Sequence, residues 1–265
     1  MQRNRLIRYC LYGVLSLLIF SCEYYLGLNQ QPEFEDEDIE EGLNVFGVLR
    51  PDSIGSYNKS FVYVQKMWPV LQLDSFSIIR GADIRLEHIA DNEIMGIINF
   101  PLVPADSLFP DTLYRPIEDF IPLPGERYRI TCRYEGLPDA TGELVFPPEP
   151  RIKENSLLID GRTVSFTLVA DSLISMVDIY LLIPGNSQML DRRIPSGTSG
   201  TYIELQLPVD PQGIQLKLFS YDSNMAVYYG NSNTALNFNK YRTTISTLES
   251  GFGVFGALNF SIISL

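Results

Sequence analysis

The sequence predicts an all-β protein built as two tandem antiparallel β-sandwich domains. Three observations carry that prediction. Apolar residues recur with a period of two along most of the chain after residue 42, and such alternation marks strands with one buried face. Turn-forming residues interrupt the pattern at short intervals. A proline cluster, Pro147-Pro148-Glu149-Pro150, divides it into halves.

The first residues read differently. Arg3, Arg5 and Arg8 form a basic start with no acid, and Leu11 to Phe20 is an apolar run. At about ten residues the run is too short to span a ~30 Å hydrocarbon core as a helix. A short apolar run behind a basic start reads as a signal peptide, residues 1–21. Ile19-Phe20-Ser21-Cys22 follows. It resembles a lipobox, with an aliphatic residue three places before the cysteine and a small residue just before it. Cys22 is therefore the candidate lipidation site, where acyl chains would anchor the protein at ~0.8 kcal/mol per buried CH₂.

Residues 22–41 read as a flexible acidic tether. Glu33 to Glu41 holds seven acids in nine residues, and like charges at that density keep a segment extended and solvated. The run also resembles the acidic stretches that direct some lipoproteins to the cell surface. Cleavage before Cys22 would remove three of the 20 basic residues and none of the 32 acidic ones, leaving a net charge near −15. That field has the wrong sign for phosphate and argues against a nucleic-acid partner.

The first sandwich is expected over residues 42–147. The clearest strand is Arg127 to Tyr134, where Tyr128, Ile130, Cys132 and Tyr134 alternate with Arg127, Arg129, Thr131 and Arg133. Its pattern places the Cys132 thiol in the core. Ala82, Ile84 and Leu86 face one way and Asp83, Arg85 and Glu87 the other. Segments 43–49, 60–68, 93–99 and 140–146 are further strand candidates. Pro101 to Pro124 is rich in proline and acid and reads as a long loop with an edge segment.

The second sandwich is expected over residues 151–265. Val164, Phe166 and Leu168 share a face, as do Val177, Ile179 and Leu181; Ile203, Leu205 and Leu207; and Ile214, Leu216 and Leu218. Short strands at this spacing suit Ig-like or transthyretin-like sandwiches. A short helix is expected around Ser223–Tyr229 or Lys240–Thr247. A final strand is expected over Leu258 to Ile263.

Motifs for catalysis are sparse. The single histidine, His88, falls on the apolar register of its strand, with Glu87 on the opposite face and Asp91 close in sequence. It reads as a partly buried strand-end residue rather than part of a triad. One His and one buried Cys supply a zinc site poorly. Gly251-Phe252-Gly253-Val254-Phe255-Gly256 matches GxGxxG, but a dinucleotide site needs a strand before it and a helix after it. The glycines read instead as a lead-in to the last strand. Carboxylates are plentiful, and no pair stands out for glycoside cleavage. Tyr24, Tyr25, Tyr57, Tyr63, Trp68, Tyr114, Tyr221, Tyr228 and Tyr229 are read chiefly as core and cross-strand pairs, or as a sugar- or protein-binding face. Asp52-Ser53-Ile54, Asp106-Ser107-Leu108, Asp111-Thr112-Leu113 and Asp171-Ser172-Leu173 resemble Bacteroidota O-glycosylation acceptors, or are simply loop residues at strand ends.

Several features in order carry a family resemblance. They are Cys22, the strand Asn44-Val45-Phe46-Gly47-Val48-Leu49, Gly81-Ala82-Asp83-Ile84, Pro124-Gly125-Glu126-Arg127-Tyr128, and Ser250-Gly251-Phe252-Gly253-Val254-Phe255-Gly256-Ala257. Together they resemble a family of uncharacterised Bacteroidota lipoproteins carrying a domain of unknown function, often encoded beside TonB-dependent outer-membrane receptors. The resemblance implies a non-enzymatic lipoprotein, lipid-anchored at the outer membrane, acting as an accessory or ligand-binding module of such a receptor. It supplies no catalytic residue, metal or cofactor. A structural or adhesin-type surface subunit is the alternative, and a glycan-active enzyme the third reading.

Overall fold

The computed structural model describes residues 41–51, 59–66, 78–105, 112–117, 120–183, 189–195, 200–230 and 246–265. Cys22, the expected signal peptide and all of the tether but Glu41 lie outside the described residues. In chain order the first eight strands are β1 (Leu43–Leu49), β2 (Phe61–Lys66), β3 (Asp83–Ala90), β4 (Glu93–Asn99), β5 (Leu102–Val103), β6 (Leu113–Tyr114), β7 (Arg127–Arg133) and β8 (Ala140–Val145). Then come β9 (Leu158–Asp160), β10 (Thr163–Thr167), β11 (Met176–Leu182), β12 (Met189–Pro195), β13 (Tyr202–Gln206) and β14 (Gln215–Tyr221). Among the described residues one helix, α1 (Ser223–Gly230), precedes β15 (Leu248–Glu249) and β16 (Phe252–Ser264).

The alternation in sequence becomes alternation in burial. Along β7, Tyr128, Ile130 and Cys132 are buried while Arg127 and Arg133 are exposed. On the outer side Arg129 donates to Glu143 at 2.6 Å and lies 3.6 Å from Glu87. Opposite charges in neighbouring rows suit a solvated sheet face. Among its described residues the loop after β4 holds the two-residue strands β5 and β6. There the buried Tyr114 hydroxyl donates to Ile79 O at 2.6 Å and accepts from Ala82 N at 2.9 Å.

The strands form three sheets, and the all-β sandwich class read from the sequence is the class observed. The largest runs β12-β11-β14-β16-β1-β2-β6-β5, a second runs β15-β8-β7-β3-β4, and a third runs β13-β10-β9. The eight-stranded sheet contributes one face to two cores. Leu43, Val45, Val62 and Phe255 pack with Ile84, Leu86, Ile130 and Cys132 of the five-stranded sheet. Ile179, Leu216 and Leu218 pack with Val164, Phe166 and Ile203 of the three-stranded sheet.

The last strand runs through both expected halves. The last strand begins at Phe252, six residues before the expected start, and its first half pairs parallel to β1 from Asn44↔Phe252 to Leu49↔Ala257. Its second half pairs antiparallel to β14 from Tyr221↔Leu258 to Gln215↔Ser264. At about 3.3 Å per residue, a strand of 13 residues is long enough to cross both halves. The domain expected at 151–265 therefore returns β15 and residues 252–257 to the half expected at 42–147. Glu41–Leu265 forms one compact unit.

The proline cluster is held against this shared sheet. Asn259 Nδ2 donates to Pro147 O at 3.1 Å, Ser220 Oγ to Pro148 O at 2.6 Å and Ser261 Oγ to Pro150 O at 2.7 Å. Proline has no N–H, so its carbonyl is its whole hydrogen-bonding need. The segment that divides the sequence pattern is pinned to β14 and β16.

The glycines of the GxGxxG match serve packing. Gly253 has φ +98°, and a Cβ there would lie 2.1 Å from Val45 O. At Gly256 a Cβ would lie 2.4 Å from Met225 Cγ of α1. The strand expected from Leu258 extends back through these residues because only bare backbone can approach β1 and α1 so closely.

Candidate functional site

The opposite face of the eight-stranded sheet carries the densest grouping of aromatic and charged side chains among the described residues. Strand alternation sends Asp178 and Tyr180 of β11, Lys217, Phe219 and Tyr221 of β14, Phe260 of β16, Phe46 of β1 and Phe61 of β2 to this face. α1 lies over part of it and adds Met225, Tyr228 and Tyr229 to the layer.

At its centre is a buried ion pair. Asp178 is 0% exposed, and Arg193 of β12 grips it with Nε and Nη2 donating to Oδ1 and Oδ2 at 2.8 Å each. The Tyr221 hydroxyl donates to the same carboxylate at 3.2 Å. Burial and the neighbouring Asp178 push the Tyr221 phenol well above its ordinary range, keeping it a donor. Arg193 Nη1 also donates to Tyr229 O at 2.9 Å, and its guanidinium lies 5.7 Å from the Tyr229 ring. α1 has no basic residue of its own in its last turn. Arg193 supplies the cation that the carbonyl end of a helix favours.

Beside this pair the Lys217 ammonium sits 4.7 Å from the ring centroids of both Phe219 and Phe260. Tyr180 meets Phe219 edge-on at 5.4 Å. Burial, then the nearby Arg50, lowers the Lys217 pKa. In the same layer Arg50 lies 5.1 Å over Phe61, and Phe46 contacts Phe61 and Tyr228. Aromatic faces interleaved with cations suit a ligand that combines an apolar face with a negative group.

Asp222 ties α1 to the shared strand. Its Oδ1 accepts from Met225 N at 2.9 Å and from Ala257 N at 3.0 Å. It is thus the helix cap and a bridge to β16. Its Oδ2 is buried without a hydrogen-bond partner. Desolvation raises the carboxyl from 3.8 to about 6, although backbone donors oppose the shift. A carboxyl that holds its proton more tightly when folded stabilises the fold fully below the unfolded value, and that contribution is lost as pH rises through about 6. Asn keeps the Oδ1 acceptor and carries no charge. Between pH 3.5 and pH 7.5 the stability of Asp222→Asn relative to wild type is therefore expected to rise by about 3 kcal/mol. Urea titrations at the two pH values measure it, and a constant difference would contradict a raised carboxyl.

Residues named from the sequence fall elsewhere. Cys132 is buried in the first core, and desolvation pushes its thiol up to about 12, so it stays protonated at neutral pH and is a poor nucleophile. His88 stacks on Tyr128 at 5.1 Å, with Nε2 3.2 Å from Glu126 Oε2. Its partner is thus neither Glu87 nor Asp91, because Glu126 arrives from the turn before β7. Asp171 to Leu173 forms a turn in which Leu173 N donates to Asp171 Oδ1 at 3.0 Å, with Ser172 exposed. Asp52, Ser53, Ile54, Asp106, Ser107, Leu108 and Asp111 lie outside the described residues, as do Tyr24, Tyr25, Tyr57 and Trp68. Of the layer itself, the sequence reading named Tyr221, Tyr228 and Tyr229 but missed Asp178, Lys217, Phe219, Phe260 and Arg193. Their signal was the second register of β11, β14 and β16, where aromatic residues stand between the core positions.

No group of three His, Cys, Asp or Glu side chains among the described residues is placed to hold a metal ion. No helix among them is long and apolar enough to cross a membrane. No protein-family model matches the chain, and no curated protein sequence matches it. Among solved structures it is similar to the chicken interferon gamma receptor alpha chain, at 12% identity and TM-score 0.21, over 62% of this chain and 82% of that one. A likeness at that superposition carries no functional argument.

Proposed function

We propose that this protein is a non-enzymatic lipoprotein of the cell envelope. Lipid on Cys22 anchors it at the outer membrane, and its β-sheet unit acts as an accessory or ligand-binding module of an outer-membrane receptor. Membership of the Bacteroidota lipoprotein family described above is part of the proposal. The observation that carries the binding role is the aromatic and cationic layer on the eight-stranded sheet, in which Lys217 lies between Phe219 and Phe260. Such a layer is held rigidly by strands and presents contact area at low entropic cost. The non-enzymatic reading is supported by the way groups with catalytic potential are engaged. Asp178 is closed by Arg193 and Tyr221, His88 faces Glu126, and the Cys132 thiol is deep in a core.

Fractionation and protease shaving test the anchor. The wild-type protein is expected in the outer-membrane fraction and labelled by a lipid precursor. Cys22→Ala is expected to lose the label and leave the membrane. Cleavage of the wild type on intact cells would put the module outside, and protection until permeabilisation would put it on the periplasmic side. Unchanged membrane attachment of Cys22→Ala would refute the lipid anchor.

A further inference from the structure

The most exposed apolar strand is an edge. β4 ends the five-stranded sheet, and among the described residues no strand pairs with its outer side. Ile94, Met95 and Ile97 are 53%, 64% and 55% exposed. Soluble proteins blunt such edges with charges, prolines or very short strands. The large sheet does so, ending in the two-residue β5 on one side and in β12, with Arg192 and Arg193, on the other. By contrast, Ile94-Met95-Gly96-Ile97-Ile98 has neither charge nor proline.

We propose that β4 is a homodimer edge, at which two copies of this chain pair antiparallel about Gly96 and continue the five-stranded sheet across the interface. The sequence of the strand is self-complementary in that register. A twofold at Gly96 sets Ile94 opposite Ile98 of the second copy and Met95 opposite Ile97. At each end Glu93 meets Asn99, whose own neighbour on β3 is Arg85. For a chain of net charge −12, the main obstacle to self-association is acid facing acid, and this register avoids it. Parallel pairing would set Glu93 beside Glu93. The symmetry favours a second copy over an unrelated strand, because one seven-residue segment supplies both halves of the match. Such a twofold contact is closed, so assembly stops at the dimer.

Cysteine trapping in the full chain tests the register. A Cβ at Gly96 meets nothing within 4 Å, so Gly96→Cys is compatible with the fold. Directly opposed residues lie about 4.5–5.5 Å apart, within disulfide reach. In the same register the two copies of residue 99 are about 20 Å apart. Under mild oxidation Gly96→Cys is expected to form a covalent dimer at least tenfold faster than Asn99→Cys, with the wild-type thiols as background. Adding Ile97→Lys to Gly96→Cys is expected to slow it at least tenfold. Sedimentation of the wild type should show a dimer that Ile97→Lys dissociates. Equal trapping at 96 and 99, trapping no faster than background, or assemblies larger than a dimer would each overturn the proposal. The same results are expected in the Cys22→Ala background, so the outcome is independent of the lipid anchor.

Discussion

Replacing Gly253 by alanine is expected to destabilise the fold by about 3 kcal/mol or more. Two costs add. A residue with a side chain at φ +98° is strained by about 1–2 kcal/mol. A Cβ 2.1 Å from Val45 O is an overlap that only backbone movement can relieve, at about 1–3 kcal/mol. The movement required pushes β16 away from β1, and that pairing is what joins the two halves into one sheet. Wild-type protein is therefore expected to unfold in one transition, and Gly253→Ala in two, as the β11-β14-β16 region and the β1-β2 region lose their coupling. Urea denaturation followed by far-UV circular dichroism measures both effects. A loss below about 1 kcal/mol in Gly253→Ala, with a single transition, would contradict the parallel pairing.

Arg193→Met is expected to cost about 3–5 kcal/mol, because it leaves the Asp178 carboxylate buried without its counter-charge. The side chain of Arg193 is 30% exposed while that of Asp178 is fully buried, so the arginine can reach water and the carboxylate cannot. The tie from Nη1 to Tyr229 O is lost as well, so the end of α1 should fray and its helical signal fall. The double variant Asp178→Leu, Arg193→Met removes both charges and is expected to recover most of the loss, since apolar replacements of a buried pair are often neutral or stabilising. Thermal denaturation of the two single variants and the double variant gives the coupling energy directly. Strict additivity would show that the pair does not act as a unit.

The two substitutions probe parts of the molecule that were differently legible. The clear strands β7, β10, β11, β13 and β14 could be read from period-two alternation, because each buries one face and alternation is the local trace of that burial. The helix at Ser223 was foreseeable as a short segment, but its cap, Asp222, was not singled out. The cap itself is local, from Met225 N to Asp222 Oδ1, whereas the second bond of that oxygen comes from Ala257 N, 35 positions away on β16. The proline cluster was legible as a break in the sheet. Its three carbonyls, however, are satisfied by Ser220, Asn259 and Ser261, which are remote in sequence.

By itself, the sequence determined most of the longer strands, the buried face of the clear ones, the burial of Cys132 and the rejection of the GxGxxG match as a nucleotide site. All of these follow from short-range pattern and local backbone sterics. Only the tertiary structure decided that β16 serves both halves, that Gly253 and Gly256 are close-approach positions, and that Asp178, Arg193, Lys217, Phe219 and Phe260 share one layer. Alternation tells a residue's face but not its neighbour strand. Neighbours are set by which remote segments together bury the most apolar surface while pairing their backbone groups, and that is a property of the whole chain.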